Sequence, residues 1–90
     1  MLFMYIHTHT PEKCLMTKTQ ETLRVFSAIR EGFQQAGVKV VGAYVAQHEH
    51  TVFWTLEAND IHELEMALTP FTLLGTARLI PVDKMVYMIS

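Results

Sequence analysis

The sequence predicts an α+β domain in which one four-stranded antiparallel sheet carries two helices on a single face. Three observations lead there. Four short segments read as strands: residues 2–9 and 51–58 alternate in side-chain character with a period of two, and 38–46 is apolar on both sides. Two segments between them repeat apolar residues at helical spacing. Their order along the chain is β-α-β-β-α-β. With 90 residues, half of them hydrophobic, the chain has room for one small domain spanning 1–90.

Residues 2–9 form the first strand. Leu2, Met4 and Ile6 take one side and Phe3, Tyr5, His7 and His9 the other. Thr10-Pro11 ends it, because proline removes a backbone donor. Residues 17–36 read as a helix. Thr17 and Gln20 have capping-box spacing, Leu23, Phe26, Ile29 and Phe33 form an apolar stripe, and Gly37 stands where a left-handed cap residue is wanted. Residues 38–46 make a second strand, apolar on both sides apart from Lys39. The polar segment Gln47-His48-Glu49-His50 is a hairpin loop. Residues 51–58 make the third strand, with Val52, Trp54 and Leu56 on one side and Thr51, Phe53, Thr55 and Glu57 on the other. Asn59 or Asp60 caps a shorter helix whose stripe is Ile61, Leu64, Ala67 and Leu68, with Pro70 at its end. After Gly75, TARLIPV is the fourth strand. The core is thus 2–82, and the apolar tail 84–90 is expected as a fifth strand or as an arm docked on a neighbour.

This order is the ferredoxin-like, or split βαβ, pattern. Two right-handed crossovers give a strand order 4-1-3-2 with both helices on one face. The side bearing Leu2, Met4, Ile6, Val52, Trp54 and Leu56 is the expected helix-packing face. The other side then exposes Phe3, Tyr5 and Phe53 together, and an apolar cluster of that kind marks an interaction surface. Charged residues make up only 18% of the chain, below the usual ~25%. Both points predict self-association, with a C2 dimer as the commonest closed form.

Together with the short length and the doubly apolar sheet, the pattern resembles the dimeric α+β barrel superfamily. That group includes muconolactone-isomerase-like proteins, antibiotic-biosynthesis-type monooxygenases and stress-responsive barrel proteins. The segments HTHTPEKC and HTVFWTLEAND, followed by LTPFTLLGTARLIPV, are similar to small bacterial members of the group. The resemblance implies two sheets enclosing a pocket for an aromatic, polyketide or haem-like ligand, in a homodimer. Phe3, Phe53, Thr55, Glu57 and Arg78 are the expected lining. His7 and Tyr5 are the candidate catalytic pair for cofactor-free isomerase or monooxygenase-type chemistry, since a histidine with a pKa near ~6.5 suits proton transfer at neutral pH.

Five histidines in so short a chain open a second reading. His7 and His9 lie two apart on one strand and so share a face. Antiparallel pairing of the first and third strands brings His50 to the same end of the sheet, with His48 in the adjoining loop and Cys14 in the following connection. Imidazole and thiolate together suit a divalent transition metal. His7, His9 and His50 are the candidate ligands, with His48 or Cys14 as additions. Strict alternation opposes this set, because it puts His50 on the helix side with Trp54 and His7 and His9 on the open side. A third reading is a non-catalytic oligomerisation domain.

Other classes are excluded or lack a signal. A formal net charge of −2 excludes electrostatically driven nucleic-acid binding. The single cysteine excludes an internal disulfide and any cysteine-rich zinc module. No Gly-rich phosphate loop or G-x-S-x-G motif is present. No apolar run reaches the ~18–20 residues of a membrane helix, and the N-terminal segment lacks a basic region and a cleavage motif. The expected setting is cytoplasmic, without a membrane partner.

Overall fold

A computed structural model of the chain describes residues 1–14 and 19–88. The strands are β1 (Leu2–Thr8), β2 (Lys39–Ala46), β3 (Thr51–Glu57) and β4 (Thr76–Val82), and the helices are α1 (Thr19–Ala36) and α2 (Ile61–Thr72). The strands form one sheet in the order β2-β3-β1-β4, with every neighbouring pair antiparallel. This is the predicted 4-1-3-2 order viewed from the opposite edge, and the fold is ferredoxin-like.

Each helix buries one stripe. In α1 the buried residues are Val25, Ile29 and Phe33, with Phe26 partly covered. Leu23, expected in the stripe, is 58% exposed. At helical spacing it lies beyond Phe26, on the far edge of the stripe from Val25. Gly37 adopts φ 69°, and Val38 N–H donates to the Phe33 carbonyl at 2.8 Å, a left-handed C-cap as the sequence predicts. Thr17 of the expected capping box lies outside the described residues.

In α2 the Asp60 side chain caps the helix by accepting from His62 N–H at 2.8 Å. Leu64, Leu68 and Phe71 are buried. Pro70 lies inside this helix, which continues to Thr72. Proline lacks a backbone N–H, so the helix forgoes the hydrogen bond that position 70 would otherwise donate. The two helices meet closely at Gly32, where an added Cβ would stand 3.0 Å from Cβ of Ala67.

The face assignment of β1 is corrected. Phe3, Tyr5 and His7 are 0%, 1% and 0% exposed and lie beneath the helices. In register, Phe3 pairs with Leu56, Tyr5 with Trp54 and His7 with Val52. The helix-side set of β3 is as expected, whereas β1 presents its other side. Both sides of β1 are apolar, and packing decides between them. The Tyr5 ring meets Trp54 and Phe71 at centroid distances of 5.6 and 6.3 Å, and Phe71 also stacks on Trp54 at 5.4 Å. Flat aromatic rings fill the layer between sheet and helices, and Leu2, Met4 and Ile6 are left on the helix-free face. There they neighbour Phe53, Thr55 and Glu57 of β3 and Arg78 and Ile80 of β4.

Of the two expectations for the tail, the structure bears on the fifth strand. Residues 84–88 form no fifth strand. Val86–Met88 make a single 3-10 turn, and their side chains are exposed.

Candidate metal centre

The end of β1 and the start of β3 build the site. Antiparallel pairing runs through Thr8 and Thr51. Beyond it, His9 N–H donates to the His50 carbonyl at 3.1 Å. Thr51 Oγ1 donates to the Glu49 carbonyl at 3.0 Å, so its contact with Thr8 Oγ1 at 3.1 Å has Thr8 as donor. His50 closes the β2–β3 turn in the left-handed conformation, φ 48° and ψ 43°. That backbone geometry is costly for a residue bearing a Cβ. The connection after β1 makes one 3-10 turn, Pro11–Lys13, and Cys14 N–H donates to the Pro11 carbonyl at 3.2 Å. The turn folds Cys14 back toward the strand end and buries it.

These pieces converge. One ligand atom from each of His9, Cys14 and His50 lies within 4.8 Å of the other two. Bond lengths of about 2.0–2.3 Å to a zinc-class ion put ligand pairs about 3.4–3.8 Å apart, so small side-chain rotations would close the set. The conflict over strand parity disappears because β1 turns His7 and His9 to the helix side, where His50 also lies. His48 is exposed in the turn and is not part of the group. Cys14, named in the sequence only as an addition, is a full member. His7 is not within the ligand group.

Four ring nitrogens at this place have no hydrogen-bond partner: Nδ1 and Nε2 of His7, and Nδ1 and Nε2 of His9. Leaving a buried polar group unpaired costs about 1–3 kcal/mol, so a site that gives these atoms partners gains correspondingly. The His7 ring stacks on Phe71 at 3.9 Å and stands 5.5 Å from the His9 ring, which is 5.5 Å from the His50 ring. Burial lowers the His7 pKa below the usual 6.5. The Phe71 carbonyl opposes that shift while falling outside hydrogen-bond geometry, and the neighbouring His9 adds to it. Burial also lowers the His9 pKa, with His50 acting in the same direction. Both rings therefore favour the neutral form, the form that binds metals. A cavity of about 400 Å³, bordered by His9, Thr10, Lys13, Leu74, Gly75 and Thr76, gives an approach from solvent.

The other predicted site residues separate. Phe3 and Tyr5 belong to the core, so they do not share a surface with Phe53, Thr55, Glu57 and Arg78. Tyr5 borders a groove of about 340 Å³ between α2 and β4, and its hydroxyl is 2.8 Å from Thr72 Oγ1. Burial pushes its pKa up to about 12, against the opposing effect of that hydrogen bond. His7 and Tyr5 remain neighbours, with ring centroids 6.1 Å apart, but inside the core and not on an open face. Glu57 stands opposite Leu2 and Arg78 opposite Ile6, toward different ends of the helix-free face.

Comparisons with known proteins bear on fold and family. No curated protein sequence matches the chain. Among solved structures, the chain is similar to one described as a "putative transposase" from Deinococcus radiodurans R1. Identity is 14%, the TM-score is 0.53, and the match covers 97% of this chain and 82% of that one. At that identity the likeness is one of fold. Residues 1–89 match the model of a domain of unknown function, DUF3303, and the chain belongs to that family.

Proposed function

We propose that the protein binds a single transition-metal ion through His9, Cys14 and His50. The observation that carries this reading is the convergence of the three ligand atoms within 4.8 Å at a place where both His9 nitrogens lack partners. Two imidazoles and a thiolate favour a borderline or soft ion, Zn²⁺ before harder cations. Three protein ligands leave a fourth position for water or an exogenous ligand, the arrangement of exchangeable and catalytic sites. Calorimetric titration of the reduced, metal-free protein with Zn²⁺ is expected to show one equivalent bound, and Cys14→Ala and His50→Ala each to weaken binding by at least about 100-fold. Wild-type protein that takes up no Zn²⁺ would refute the reading.

A second reading concerns the helix-free face, where Leu2, Met4, Ile6, Phe53 and Ile80 are half-buried and no helix among the described residues covers them. A second copy packed on this face would make the dimeric α+β barrel. Any cavity between the sheets would then be lined by Phe53, Thr55, Glu57 and Arg78, with Met4 and Ile6 in place of Phe3, Tyr5 and His7. A small apolar ligand would suit it. Light scattering at micromolar concentration tests the association. A monomer, or a dimer unaffected by Phe53→Asp, rules this face out.

A further inference from the structure

We infer that His7 is the positioning partner of a metal-bound His9, in a hydrogen-bonded chain running from the metal through His9 and His7 to the Phe71 carbonyl. The inference rests on the metal reading above and adds a role for a residue outside the ligand group.

A histidine that gives one nitrogen to a metal presents an N–H at the other, and that N–H almost always finds an acceptor which fixes the ring's tautomer and orientation. Strand alternation puts His7 on the same face as His9, with the rings 5.5 Å apart and inclined at 37°. That separation leaves room for one N–H···N hydrogen bond of about 3 Å between facing ring edges. Turning an imidazole by 180° exchanges nitrogen for carbon at each edge, so a ring flip decides whether nitrogen or carbon faces the neighbouring ring. His7 is wholly buried and lies against Phe71 at 3.9 Å. A Cβ added at Gly75 would stand 2.9 Å from His7 Cε1, so the Gly75 backbone closes that edge of the ring.

Within this pocket the chain satisfies all four unpartnered nitrogens. One His9 nitrogen takes the metal and the other donates to His7. His7 accepts at one nitrogen and donates from the other to the Phe71 carbonyl. An apolar residue at position 7 would pack on Phe71 as well but would leave the metal-bound His9 N–H without an acceptor.

The test compares Zn²⁺ affinity in wild type, His7→Phe and His7→Gln. It is joined to ¹H–¹⁵N spectra of the histidine rings in Zn²⁺-loaded wild-type protein. His7→Phe is expected to keep one-equivalent binding but weaken it 10–100-fold. His7→Gln, whose amide both accepts and donates, is expected to recover most of that loss. The spectra should show a slowly exchanging N–H on His9 and a single neutral tautomer of His7, and they decide the matter if the variants do not fold. Wild-type uptake with unchanged affinity in His7→Phe overturns this inference alone. A metal-bound His7 nitrogen in the spectra also overturns it, making His7 a ligand. No uptake by the wild-type chain overturns the metal reading and this inference with it.

Discussion

Gly75→Ala reverses the sign that an exposed glycine ordinarily gives. Gly75 is exposed, and its φ is not positive. On those facts alone, alanine would restrict the unfolded chain and stabilise the fold by about 0.4–1 kcal/mol. The structure predicts the opposite, because the added Cβ overlaps the Thr8 carbonyl oxygen and also meets His7 Cε1 at 2.9 Å. Thr8 lies on β1, a central strand paired on both sides, so its carbonyl has no free direction to yield. Overpacking typically costs about 1–3 kcal/mol. With backbone as the obstacle, the upper part of that range applies, about 2–3 kcal/mol. An unfolding entropy of about 2.1 cal/mol/K per residue gives this chain about 0.19 kcal/mol/K, so Tm should fall by about 10–16 °C. Urea unfolding followed by the fluorescence of Trp54, the single tryptophan, measures it. Stability equal to or above wild type would refute the described approach of the α2–β4 turn to β1, and the closed edge of His7 with it.

Four further outcomes follow from the structure. Tyr5→Phe removes the hydrogen bond to Thr72 and should cost about 1 kcal/mol in urea unfolding. In wild type, the ultraviolet titration of Tyr5 should centre near pH 12, with stability falling between pH 10 and 12 as only the unfolded chain ionises there. Asp60→Ala removes the α2 cap and should cost about 1 kcal/mol. Metal-free protein should lose stability as pH falls below about 6.5. His7 and His9 resist protonation in the fold while the unfolded chain accepts the protons, and the loss levels off only below their lowered folded pKa values. Stability that is flat between pH 7 and 5 would contradict the buried placement of these rings.

Most of the fold was legible because its signals are local. Alternation marked β1 and β3, short apolar segments marked β2 and β4, stripes marked both helices, and the two crossovers then allowed few topologies. The face of β1 was not legible. Leu2, Met4 and Ile6 against Phe3 and Tyr5 is a choice between two apolar sets, and polar His7 and His9 argued for solvent. The answer lies in the aromatic layer of Tyr5, Trp54, Phe26 and Phe71, which forms only when strands and helices meet. Once β1 is turned, His9 and His50 share a side, as strand pairing had brought them to one end. Cys14 was harder to place, because its position depends on the 3-10 turn that Pro11 starts. HTHTPEKC did contain a signal, since a proline-led turn between His9 and Cys14, five residues apart, can bring the thiol back to the histidine. For the apolar tail, the strand alternative is not taken up by residues 84–88, because apolar content alone does not supply a pairing partner.

Cobalt(II) titration of the reduced, metal-free protein tests the central claim most directly, because its absorption reports ligand identity as well as stoichiometry. One equivalent of Co²⁺ should produce a thiolate-to-metal charge-transfer band together with visible bands of a low-coordinate site. Zn²⁺ should displace both, and Cys14→Ser should remove the charge-transfer band. A spectrum without that band at one equivalent, in protein whose Cys14 is shown to be reduced, would contradict a site built from His9, Cys14 and His50.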